Sequence, residues 1–119
     1  MASWEGWTIS LFLSESFLFG RALGMILSRG AAADLDRKTS TELYRSRLQE
    51  VLRGECFGGA RVEVLILPGE GDFQHYVSGP GGLTPGRRKE AASKLCRNAY
   101  ELWKSQDWLV WKGAKSPEP

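Results

Sequence analysis

Chemistry on a substrate needs a nucleophile, a proton-transfer group or a metal site, and the candidates in this sequence are few. The chain has one histidine, His75, and two cysteines, Cys56 and Cys96. His75 stands in FQHYV with no second histidine and no cysteine or carboxylate cluster nearby, so a metal would lack ligands. As a general base it would need a nucleophile or substrate within hydrogen-bond reach. No GxSxG, HExxH or paired-carboxylate spacing supplies one. Cys56 lies in the glycine-rich GECFGG and is the better candidate of the two for a reactive thiol, although nothing nearby in the sequence lowers its pKa. Cys96 falls on the apolar stripe of a predicted helix, where cysteine behaves as a small hydrophobe. These residues assemble no catalytic constellation, no metal site and no cofactor site.

A second kind of chemistry is anion binding. In VSGPGGLTPGRRKE, Thr84 and Pro85 form a cap followed by proline at the first helical position. Arg87, Arg88 and Lys89 fill the first turn, where the helix already presents unpaired N–H groups and partial positive charge. A phosphate or sulfate there would convert a local repulsion into an attraction, which makes Arg87, Arg88 and Lys89 a candidate anion site. The plain alternative is three solvated side chains, relieved by Glu90. The frame Gly81-x-x-x-x-Gly86 resembles a P-loop. Arg87 replaces its phosphate-binding lysine and Arg88 its Mg²⁺-binding hydroxyl, so no nucleotide-triphosphate site is expected.

The setting for these residues is a chain of 119 residues, 42% apolar and 25% charged, which suits one soluble globular domain. The expected domain is 1–112, followed by a flexible tail over 113–119, GAKSPEP being polar with nothing to bury. The net charge of +2 implies little by itself. Its distribution says more, because Thr84 to Lys115 holds eight basic residues against three acidic ones. The N-terminal apolar run makes a poor signal peptide, because MASWEGW lacks a basic n-region, and a poor membrane span, because Glu15 and Arg21 interrupt it. With two distant cysteines and no CxxC, the expectation is a reduced, cytoplasmic protein without a membrane segment.

Periodicity supplies the elements. Trp7, Ile9, Leu11 and Leu13 alternate with Thr8, Ser10, Phe12 and Ser14, a half-buried strand. Ser14 or Ser16 then caps a helix over about Phe17 to Ser28, with Gly20, Gly24 and Ser28 as a stripe of small residues. A second helix runs from about Thr41 to Arg53, capped by Thr39 or Ser40. It contains Leu43-Tyr44-Arg45, which resembles the tripeptide of the LYR-motif proteins; the strands elsewhere contradict that all-helical fold. RVEVLILP is a second strand, GEGD a turn, and FQHYV a third strand, so the pair reads as a hairpin. The last helix reaches about Gln106 on a stripe of Ala91, Ala92, Leu95, Cys96, Ala99, Leu102 and Trp103. DWLVWK makes a last short strand.

The order β-α-α-β-β-α-β predicts an α+β fold, ferredoxin-like βαββαβ with an extra helix inserted after the first helix. Such a fold has a four-stranded antiparallel sheet with helices on one face, so the other face must be solvated or occupied. That open face would receive Phe12, with Leu65 and Leu67 from the second strand. The third strand adds either Gln74 and Tyr76 or Phe73 and His75; the last adds Trp108 and Val110 or Leu109 and Trp111. The candidate binding face is accordingly Phe12, Leu65, Leu67, Tyr76 and Trp108. GDFQHYV faintly resembles the RNP1 motif of RNA-recognition domains through Phe73 and His75, without its basic start or its central glycine. Leu65 and Leu67 suit a protein partner better than a phosphate backbone. The expected function is a non-catalytic module that forms a homodimer, or docks a protein partner, through this face. The alternatives are nucleic-acid binding through the basic last helix and a small-molecule enzyme with a pocket at the sheet face.

Overall fold

The structure, a computed structural model, describes residues 4–20, 35–71 and 73–111. In chain order these form β1 (Thr8–Ser14), α1 (Glu15–Phe19), α2 (Arg37–Val51) with a π-helical continuation over Leu52–Cys56, β2 (Arg61–Leu67), β3 (Gln74–Ser78) and α3 (Pro85–Ser105). The first helix ends at Phe19 with Gly20 extended as its C-cap, so Gly20 does not lie inside a helix, contrary to expectation; Gly24 and Ser28 lie outside the described residues, as does the predicted tail.

The fold is α+β, but the sheet is not the four-stranded antiparallel ferredoxin-like one that the element order predicts. It has three strands in the order β2-β1-β3, with β1 parallel to β2 and antiparallel to β3. The predicted β2–β3 hairpin does not form, because β1 lies between its two strands. The reason is in the connector. A tight hairpin joins neighbours, whereas the six residues between Leu67 and Gln74 must cross two inter-strand spacings, about 10 Å. They are held on the far end of β1 as they cross. Ser16 N donates to Gly69 O at 3.2 Å, Ser14 Oγ donates to Gly71 O at 3.0 Å, and Glu15 Oε1 accepts from Gly69 N at 3.3 Å.

Among the described residues the predicted last strand does not form either. Trp111 makes a single bridge with Leu35, away from the sheet. Gln106 adopts a left-handed conformation that ends α3, and the chain then turns onto the start of α2. There Asp36 N donates to Val110 O at 2.7 Å and Val110 N donates to Ser40 Oγ at 2.8 Å. Ser40 is therefore a buried partner and not the helix cap. The cap is Asp36, whose carboxylate accepts from Thr39 N and from Thr39 Oγ1 at 3.1 and 2.9 Å.

The alternation of β1 holds as far as Leu13: Trp7, Ile9, Leu11 and Leu13 are buried, while Thr8 is exposed and Ser10 and Phe12 are half-buried; Ser14, expected outward, is buried with its hydroxyl bonded to Gly71 O. With Val62 and Val64 of β2 they form the sheet's inner layer, and the helices supply Tyr44, Leu48, Ala91, Leu95, Ala99 and Trp103. Polar tips inside this core are satisfied by backbone. Tyr44 Oη donates to Ala99 O at 2.6 Å, tying α2 to α3, and Trp103 Nε1 donates to Leu18 O at 3.1 Å. Cys96, expected on the buried stripe, is exposed. Ala91, Leu95, Ala99 and Trp103 follow i, i+4 spacing, and Cys96 lies about 100° around the helix from Leu95.

Candidate functional site

Two surfaces gather the residues with binding potential. The first is the outer face of the sheet. The register sets Phe12 opposite Leu65 on one side and Gln74 on the other, and Ser10 opposite Glu63 and Tyr76. The rings of Phe12 and Tyr76 meet edge to face with centroids 5.6 Å apart. Leu67 is 51% exposed and Tyr76 65% exposed, and Arg61 and Glu63 on the same face are exposed too. None of the described elements packs over this row. The structure thus brings Phe12, Leu65, Leu67 and Tyr76 together, and it does not bring Trp108 to them. Trp108 is fully buried on the helical side, edge-on to Tyr44 and Phe19.

The second surface lies at the start of α3, which forms as its residues dictate. Thr84 Oγ1 accepts from Arg87 N at 3.2 Å, and Pro85 opens the helix. The three basic residues then part company. Arg87 is half-buried with its guanidinium 4.4 Å from the centre of the Trp4 ring and 5.0 Å from that of Trp7. Such cation–π stacking holds the arginine as part of the core's rim. Arg88 and Lys89 are exposed and line a groove of about 940 Å³ together with His75, Val77, Leu83 and Ala92.

His75 occupies the inner face of β3 opposite Leu11, at the sheet's edge, with its ring 6.2 Å from that of Phe73. Among the described residues no side chain is hydrogen-bonded to its imidazole, and no group of three metal-ligating side chains occurs. Cys56 is half-buried. Burial pushes its thiol pKa up, with Lys94 acting weakly in the opposite sense, so its reactive thiolate is disfavoured at neutral pH. Burial also raises the pKa of the Tyr44 phenol, consistent with its role as a hydrogen-bond donor in the core. No helix among the described residues is long and apolar enough to cross a membrane.

Sequence reasoning missed the Trp4–Trp7–Arg87 stack and the glycine that permits it. A Cβ on Gly79 would overlap Trp7 Cδ2, so the loop after β3 lies flat on the buried indole only because residue 79 has no side chain. Gly79→Ala is expected to lower stability by about 1–3 kcal/mol, the usual cost of overpacking. Urea unfolding followed by tryptophan fluorescence measures it, and an unchanged midpoint would mean that the loop does not rest on Trp7. The available signal was the pair Trp4 and Trp7 close in sequence to each other and to no obvious partner.

The two sheet edges also differ. At β2, side chains from α2 and its continuation engage the outward backbone: Gln49 Oε1 accepts from Val64 N at 3.0 Å, and Arg53 Nη2 donates to Val62 O at 3.4 Å. At β3 no described residue does the equivalent. Compared with protein-family models, curated proteins and solved structures, the chain matches nothing.

Proposed function

We propose that this chain is a non-catalytic protein-binding module whose outer sheet face docks a second copy of itself. The observation that carries the reading is the row of Phe12, Leu65, Leu67 and Tyr76 across all three strands of a face over which no described element packs. A contiguous apolar patch flanked by charge is what monomers seldom leave in water. The second copy is favoured by the charges beside it. Arg61 and Glu63 stand on the same face of β2, two residues apart, and neither forms an ion pair with another described residue. A two-fold axis that reverses β2 against its copy sets each Arg61 opposite the other chain's Glu63, as an isologous interface requires.

Light scattering tests this. The native chain is expected to run as a dimer at micromolar concentration. Leu67→Glu, at an exposed position, is expected to give a folded monomer, because a charge buried without a partner opposes association. Glu63→Arg alone should weaken the dimer, and adding Arg61→Glu should restore it, since the exchanged charges again face their opposites. A native monomer at high micromolar concentration would end the proposal.

A further inference from the structure

Among the described residues, one edge of the sheet is engaged by side chains and the other is not. Along β2 the side chains of Gln49 and Arg53 occupy outward backbone groups, which blunts the edge. Along β3, every second residue turns its N–H and C=O away from β1, and no described residue bonds to them. This edge opens directly onto the groove lined by α3.

The groove's far wall carries charge of one sign. Arg88 and Lys89 are exposed there, and neither forms an ion pair with a described acidic side chain. Their neighbours on the helix are engaged elsewhere: Arg87 stacks on Trp4 and Trp7, and Lys94 pairs with Glu90 at 3.4 Å. Between the two walls, Val77, Leu83 and Ala92 provide apolar surface. The volume of about 940 Å³ admits a peptide segment. An occupant that satisfies this site must offer backbone donors and acceptors to β3 and negative charge to α3. A small anion meets only the second demand, and so does a nucleic acid. A helical peptide has already used its backbone groups. An extended peptide with acidic side chains meets both.

We infer that the groove between β3 and α3 binds an extended acidic peptide segment, which adds to the outer edge of β3 as a further strand. Main-chain hydrogen bonds to β3 hold it, and Arg88 and Lys89 select for its charge, the division of labour usual in strand addition. The inference does not rest on self-association through the sheet face; a monomer binds the peptide equally well.

The test uses the native full chain and a fluorescein-labelled peptide of alternating valine and glutamate, long enough to run along the five residues of β3. Fluorescence anisotropy is expected to report saturable binding. Replacing each glutamate of the probe by glutamine should weaken it about tenfold or more, as loss of charge-assisted contacts does. Replacing each valine by proline, which removes alternate N–H groups, should abolish it. Amide exchange within Gln74–Ser78 should slow when the valine-glutamate peptide is bound. The double variant Arg88→Gln/Lys89→Gln, altered at exposed positions, should match the native denaturation midpoint and lose affinity about tenfold. No binding of the valine-glutamate peptide would overturn the inference. So would equal binding of the proline peptide or of an oligothymidylate of the same charge, either of which would make the groove a general polyanion surface. Unchanged affinity in the double variant would overturn it too.

Discussion

Trp108→Ala is expected to lower the stability of the chain by about 3–5 kcal/mol in urea unfolding, the range for truncating a large buried aromatic side chain. Trp108 is fully buried, edge-on to Tyr44 at 5.2 Å and to Phe19 at 5.8 Å between ring centroids. Its Nε1 donates to Trp103 O at 3.2 Å, which closes the end of α3. Alanine would leave a cavity where α1, α2 and α3 meet and would leave that carbonyl to Gln106 N, which donates to it at 3.3 Å within the helix end. It would also loosen the stretch that reaches from Gln106 to Ser40 and Val110, whose hydrogen bonds align the start of α2. A domain of this size is held by only about 5–15 kcal/mol, so the variant should unfold at a much lower urea concentration. An exposed tryptophan at the edge of a sheet would behave differently, with a cost within about 0.5 kcal/mol. An unchanged midpoint would therefore put Trp108 back on the surface.

Leu95→Ala should cost about 2–5 kcal/mol, and Cys96→Ala, one residue further along α3, should cost no more than about 0.5 kcal/mol. Leu95 is fully buried between Ala91 and Ala99 on the stripe that faces the sheet. The small residues around it let the helix approach closely, so little neighbouring mass can collapse into the space that leucine vacates. Cys96 points to solvent. The comparison isolates the rotation of α3 about its axis, because propensity and charge hardly differ between the two substitutions. Equal losses at both positions would mean that the helix is rotated from the described position.

What periodicity can and cannot convey explains how the reading of the sequence fared. Alternation in β1 marks which side chains share a face, and it placed Ile9, Leu11 and Leu13 inward and Phe12 outward. The same holds for Val62 and Val64 against Leu65 and Leu67. The start of α3 was legible because Thr84 and Pro85 carry a local mechanism for ending a loop. Strand order was not legible, because no local pattern records which strand lies beside which. GEGD between two strand-like runs has the chemistry of a hairpin turn, yet the link is long enough to pass over β1, and hydrogen bonds from Ser14 and Ser16 hold it there.

The candidate sites follow the same division. Phe12, Leu65, Leu67 and Tyr76 came together because a face is a periodic property. Trp108 did not, since the alternating residues around it resemble a strand while the backbone of Val110, two residues on, is bonded to Asp36 and Ser40 at the start of α2. Arg87, Arg88 and Lys89 were grouped by adjacency, but successive residues on a helix point about 100° apart. One therefore turns to the indoles and two to the groove. That β3 is an edge strand with no described residue bonded to its outer side follows only once β1 is central.

The central claim, that the outer sheet face joins two copies, is tested most directly by isotope-filtered NMR on a mixture of labelled and unlabelled chains. The account predicts intermolecular contacts at Phe12, Leu65, Leu67 and Tyr76, with Arg61 of one chain near Glu63 of the other. A mixture that shows no contacts between copies at these residues, in a sample that remains folded at high micromolar concentration, would contradict it.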